Sequence, residues 1–148
     1  MTSVAPELGI TVDCHDAGRV AAFWCVALEY VEAPPPTGWA DWPSFLRDHD
    51  VPEDEWNDGA SIVPATGTGP RISFLKVPES KTVKNRIHLD VRISGGRHEE
   101  QSLREARIRE KVAQLQHHGA SVLREDRLDD RLDHVVMLDP EGNEFCVV

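Results

Sequence analysis

His88 and Asp90 stand two positions apart in residues 85–93, N-R-I-H-L-D-V-R-I, where Arg86, His88, Asp90 and Arg92 alternate with Ile87, Leu89, Val91 and Ile93. An imidazole ordinarily titrates close to neutrality, so it can take or give a proton, and a neighbouring carboxylate can orient it. Same-face neighbours on a strand lie about 7 Å apart, which leaves direct bonding between His88 and Asp90 open. Arg86, on the same face, offers a guanidinium for an anionic substrate group. Near the carboxyl end Glu144 and Cys146 share one face of another strand. Glu144 is a second candidate acid or base, and Cys146 is a small residue lining the site rather than a nucleophile. The competing reading is that the charges of residues 86–92 satisfy one another in an ion-pair ladder.

Three tryptophans, Trp39, Trp42 and Trp56, fall in residues 34–58, an acidic stretch that begins with Pro34-Pro35-Pro36. Long loops are either functional lids or insertions, and indoles in an acidic loop need something to cover. The tryptophans are therefore expected to cover a ligand cavity. The alternative is that they pin the loop to the body.

The elements that must position these groups can be read from periodicity. Alternation over residues 8–14 predicts a first strand, with Leu8, Ile10, Val12 and Cys14 on one face. Asp16 is an N-cap, and Val20, Phe23, Trp24, Ala27 and Leu28 form the apolar stripe of a helix over 17–29. Residues 60–63 and 71–77 read as strands around the turn Thr66-Gly67-Thr68-Gly69-Pro70. Gly67 and Gly69 do not make a phosphate loop, because a strand follows where a helix is required. Residues 86–93 open the second half, and 99–118 form a second helix with Leu103, Ile108, Val112 and Leu115 inward and a Glu105–Arg109 ion pair. Strands follow over 120–124, 132–138 and 144–148, the last two joined by Asp139-Pro140-Glu141-Gly142-Asn143. The run 124–133 reads as a solvated hairpin edge, and His134 belongs to no constellation.

The two halves thus repeat strand, helix, short strand and two-strand hairpin, with an offset of about 78 residues between Ile10 and His88. The fold class expected is α+β: tandem βαβββ modules forming an open curved mixed sheet around a central cavity. A single domain over 1–148 is expected, with module one at about 6–78, a loop insertion at 34–58, and module two at about 84–148.

Bulk properties exclude several functions. A net charge of -10 argues against nucleic acid or an anionic membrane as partner. No apolar run reaches the length of a membrane helix. The start, M-T-S-V-A-P-E-L, lacks the basic and apolar regions of a secretory signal, so a cytoplasmic location is expected. Cys14, Cys25 and Cys146 are odd in number and lack metal-type spacing, as reduced thiols do.

The βαβββ tandem, the turn D-P-E-G-N with E-F-C after it, and V-P-E-S-K-T-V-K-N-R-I-H-L-D over 77–90 make the chain resemble the vicinal oxygen chelate superfamily, in its glyoxalase-like branch. The resemblance implies a small-molecule ligand and a homodimer. Metal-using members present a His, a Glu, a second His and a final Glu from four strands. At those positions this chain has Gly9, then Phe74 or Lys76, then His88, then Cys146. One histidine is not a metal site. No cofactor is expected; were a divalent metal held, His88 would be its ligand.

The function expected is a metal-independent isomerase or lyase working by proton transfer. His88 is its acid/base, Asp90 and Glu144 assist, Arg86 holds an anionic group, and Trp39, Trp42, Trp56 and Cys146 line or cover the substrate. The alternative is a ligand-sequestering protein of the bleomycin-resistance type, in which a flat cation stacks on the indoles. A third reading is a module used only for dimerisation.

Overall fold

A computed structural model describes residues 4–148, which divide into two compact units, the first ending at Ser80 and the second spanning Lys81–Val148. In the first unit the order is β1 (Gly9–Cys14), α1 (Ala17–Leu28), β2 (Tyr30–Glu32), α2 (Trp42–Asp48), a 3-10 turn over Glu53–Asp58, β3 (Gly59–Pro64) and β4 (Arg71–Lys76). The sheet runs β1-β4-β3-β2. β1 lies parallel to β4 and the other pairs are antiparallel. The second unit holds β5 (Leu89–Val91), α3 (Gln101–His117), β6 (Ser121–Leu128), β7 (Arg131–Leu138) and β8 (Glu144–Val147). Its sheet runs β5-β8-β7-β6, again with the first strand parallel to the last. Both units are βαβββ, and the fold class is α+β with two open, mixed four-stranded sheets.

Helix α1 starts where its sequence says it must. The Asp16 carboxylate accepts the Arg19 N–H at 3.1 Å, satisfying a first-turn donor that has no intrahelical partner. Asn57 reinforces the cap, its amide donating to the same carboxylate at 2.9 Å while its oxygen accepts the Gly18 N–H at 2.7 Å. The helix ends at Glu29, which takes the left-handed conformation usual after a helix. Its Val20, Phe23, Trp24 and Ala27 are buried, as are Ile62 of β3 and Ile72 and Phe74 of β4, the strands on which it packs. Each large apolar side chain buried this way contributes about 1.5–3 kcal/mol.

In the second unit, α3 packs on β6, β7 and β8. Phe145 and Val147 of β8, Val135 and Met137 of β7 and Val91 of β5 are buried with Ile108 and Leu115 of the helix. The opposite parity carries Glu144 and Cys146 of β8, His134 and Val136 of β7, and Asp90 of β5. Two turns fix the register. Asp129 and Asp130 both have positive φ, 49° and 61°, which makes β6–β7 a two-residue hairpin whose twist matches its strands. The buried Asp139 organises the next turn. Its Oδ1 accepts the N–H groups of Glu141 and Asn143, each at 2.9 Å, and its Oδ2 accepts the Asn143 amide at 3.1 Å.

Several expectations need correction. The strand predicted over 86–93 is only Leu89–Val91, because β8 pairs with just these residues. Ile87 is 80% exposed, and beyond β5 the N–H groups of Ile93 and Ser94 go to the Val148 carbonyl instead. Leu8 precedes β1 and is exposed. Leu103 is exposed and Val112 only half-buried, whereas Arg104 and Lys111 take buried positions on α3. Residues 34–58 are not an irregular loop. Asp41 caps α2 by accepting the Ser44 N–H at 2.7 Å, with Pro43 in the first turn.

Candidate functional site

The segment entering β5 and the first residue of β8 bring a lysine, a histidine and a glutamate to one point. The turn centred on Asp139 starts β8 at Glu144, and the Asn85 side chain accepts the Glu144 N–H at 3.2 Å, tying the two stretches together. Glu144 Oε2 accepts from Lys84 Nζ at 2.5 Å and faces His88 Nε2 at 3.5 Å. Side-chain exposure falls from 66% at Lys84 to 31% at His88 and 13% at Glu144, so the carboxylate is the sheltered member. The hydrogen bond from Lys84, with the charges of Lys84, His88 and Lys81, holds its carboxyl below the usual range, and it stays ionised at neutral pH.

This geometry can move a proton. A carboxylate facing Nε2 favours the tautomer with hydrogen on Nε2, leaving the lone pair of Nδ1 for a substrate proton, and it stabilises the imidazolium that results. The partner the structure gives His88 is therefore Glu144. Asp90 is instead the register partner of Cys146. The Cys146 thiol is pushed up by burial first and then by the Asp90 charge and a hydrogen bond to that carboxylate. It stays protonated at neutral pH and is no nucleophile. Arg86 is exposed in the segment before β5.

The tryptophans are placed by their own surroundings. Trp39 Nε1 donates to Asp48 at 2.9 Å, Trp42 Nε1 to the Ala33 carbonyl at 2.8 Å and Trp56 Nε1 to the Val51 carbonyl at 3.0 Å. Trp39 and Trp42 both meet Phe45 edge-on, at 5.0 and 5.6 Å between centroids. Arg47 lies over Trp56 at 5.7 Å. Each indole thus fastens residues 33–58 internally.

One cluster escaped the sequence reading. His134 Nδ1 lies 2.9 Å from Asp133 Oδ2 and its Nε2 lies 3.0 Å from Asp126 Oδ2. Asp133, 7% exposed, also receives Arg97. The stretch 124–133 is thus a hairpin, but not a solvated edge throughout, since Asp133 is buried. The signal was the Asp129-Asp130 turn, which sets Asp126 opposite His134. Its contacts are among side chains of the protein, and we assign it to architecture.

The quartet that the resemblance implies for a chelated metal does not fit this donor set. Gly9 has no side chain, Phe74 and Lys76 are not oxygen donors, and burial with the Asp90 charge disfavours the Cys146 thiolate. Among the described residues no three His, Cys, Asp or Glu side chains converge on a point where an ion would sit.

Residues 9–148 match the family model described as a glyoxalase-like domain. Among solved structures, the fosfomycin resistance protein FosX of Listeria monocytogenes, complexed with Mn(II) and 1S,2S-dihydroxypropylphosphonic acid, aligns with a TM-score of 0.61 at 12% identity, covering 98% of this chain and 90% of that one. A glyoxalase/bleomycin resistance protein/dioxygenase family enzyme of Burkholderia phytofirmans aligns with a TM-score of 0.57 at 13% identity, covering 93% of each chain. A possible glyoxalase of Bacillus cereus aligns with a TM-score of 0.58 at 12% identity, covering 98% of this chain and 99% of that one. At such identities the likeness is one of fold. No curated protein sequence matches the chain.

Proposed function

The chain belongs to the glyoxalase-like domain family, and from that premise we propose that it is a small-molecule enzyme that moves a proton without a metal, in an isomerase or lyase step. The observation that carries this reading is the placement of His88 Nε2 3.5 Å from a Glu144 carboxylate held ionised by Lys84. In the reaction, His88 Nδ1 takes a proton from a carbon activated by a neighbouring carbonyl and returns it to another atom of the substrate, while Glu144 orients the ring and balances the imidazolium. Positioned acid/base groups of this kind accelerate reactions by about 100- to 10,000-fold. Asp90, the register partner of Cys146, shapes the adjoining row of the sheet. Support for a metal-free route comes from the donor chemistry at the four strand positions. The reading includes a homodimer and a cytoplasmic setting. No described helix is long and apolar enough to cross a membrane. The indoles, each engaged within its own segment, give no support to stacking of a sequestered cation.

The test is a panel of small hydroxyketones and 2-oxoacids incubated with the protein in deuterium oxide. Deuterium incorporation next to the carbonyl of at least one compound, lost in H88A, supports the proposal. Incorporation unchanged in H88A, or none across the panel, counts against it.

A further inference from the structure

Residues 81–88 carry Lys81, Lys84, Arg86 and His88 and no acidic residue, in a chain whose net charge is -10. A cluster of basic side chains is a place to which small anions can be steered. Within it, Lys84 Nζ and His88 Nε2 approach the same atom, Glu144 Oε2, at 2.5 and 3.5 Å. An ammonium and an imidazole thus share one oxygen. The nearer of them is also the more exposed, with 66% of its side chain in solvent against 31% for the histidine.

An ion pair made by so exposed a lysine contributes little, because solvent screens it and the long side chain loses rotamer freedom in making it. A second anion arriving from solvent meets Lys84 before it meets Glu144, and needs to offer only slightly more than that carboxylate does. Lys84 can then turn outward while Glu144, tied through its backbone N–H to Asn85, stays where it is.

We infer that Lys84 is the anion-binding residue of this site, that the ligand is a small molecule bearing an oxyanion group, and that its binding draws Lys84 off Glu144 and leaves that carboxylate to His88. The inference rests on the acid/base reading of the His88–Glu144 pair and supplies its substrate class. It also gives the site a trigger: the carboxylate is shared while the site is empty and belongs to His88 once an anion is held.

The experiment titrates the full chain with sodium acetate and, separately, with inorganic phosphate at constant ionic strength, following the Lys84 ammonium and His88 ring signals by nuclear magnetic resonance. Saturable binding that moves both signals is expected for at least one anion. Binding of acetate alone identifies a carboxylate ligand, and of phosphate alone a phosphate or phosphonate. In K84M binding weakens about fivefold and the His88 signal no longer follows the anion; K84R retains both effects. E144Q, which frees the lysine beforehand, binds severalfold tighter. Equal binding by wild type and K84M, or saturable binding of neither anion, overturns the inference. The acid/base reading is scored separately by deuterium incorporation in H88A, so either claim can fail while the other stands.

Discussion

Asp133 holds both arms of Arg97 at once, its Oδ1 accepting from Nε at 2.8 Å and its Oδ2 from Nη2 at 2.9 Å. Arg97 belongs to the segment before α3, so this fork fastens that segment to β7. The same carboxylate lies against His134 Nδ1, and its backbone carbonyl accepts from the buried Arg104 at 3.4 Å. Hydrogen bonds from Arg97 first and His134 second hold the Asp133 carboxyl far below the usual range.

Acid stability follows from this. A carboxyl whose pKa is depressed on folding favours the native state wherever it is ionised in the unfolded chain, above about pH 3.9. The contribution is lost as pH falls from there toward the native value. Asp133→Asn is expected to cost about 2 kcal/mol at pH 7, since it leaves the Arg97 guanidinium without its charge partner. Urea unfolding of wild type and variant should show that gap at pH 7 and a smaller one at pH 3. Equal stabilities at pH 7 would remove Asp133 from the account.

Cys146 should resist alkylation at pH 8, because burial and the Asp90 carboxylate both disfavour its thiolate. Asp90→Asn removes the negative charge and should speed labelling by iodoacetamide severalfold at this cysteine, as mapped by mass spectrometry. A rate unchanged in the variant would mean that Asp90 does not control the thiol.

The α1 cap offers a third check. Asp16→Ala removes the acceptor of the Arg19 N–H and of the Asn57 amide, and about 1–2 kcal/mol of stability should go with it. Asn57→Ala should cost less, and the two losses should not add, since both residues serve the same helix end. Additive losses in urea unfolding of the double variant would show that they act independently.

Trp42 should report on whether residues 33–58 are fastened by their indoles. Trp42→Phe keeps an aromatic ring near Phe45 but loses the donor to the Ala33 carbonyl, an expected cost of about 1 kcal/mol. It should also raise amide exchange over α2. Wild-type exchange in the variant would leave the indole N–H without a structural role.

The parts of the fold legible in the sequence are those encoded by local chemistry. Asp16 before an apolar stripe, the Asp139-to-Asn143 turn and Gly119 after the second helix each satisfy nearby backbone groups, and the elements they bound lie within a few residues of expectation. Alternation over 85–93 was less informative, since it records which way side chains point and not how many residues find a partner strand. Ile87 alternates correctly but is exposed, and the pairing with β8 starts only at Leu89, opposite Phe145. Helix α2 was legible in principle, as Asp41 and Pro43 are start signals, but the surrounding prolines and acids masked it. In the site, His88 and Glu144 were both legible as candidates, while their pairing was not: they are far apart in sequence, and strand parity made Asp90 the nearer carboxylate. The buried Arg104 and the His134 cluster were hidden for a similar reason, since apolar periodicity has no place for a charged residue whose partner lies on another element.

Whether His88 moves the proton is read from the rate of deuterium incorporation at pH 7 into the panel compound that exchanges fastest, in wild type and in His88→Gln. Glutamine keeps a polar side chain near Glu144 but cannot take up the proton. The expected rate is lower by about 100-fold or more, with the fold intact by circular dichroism. A rate within twofold of wild type would contradict it.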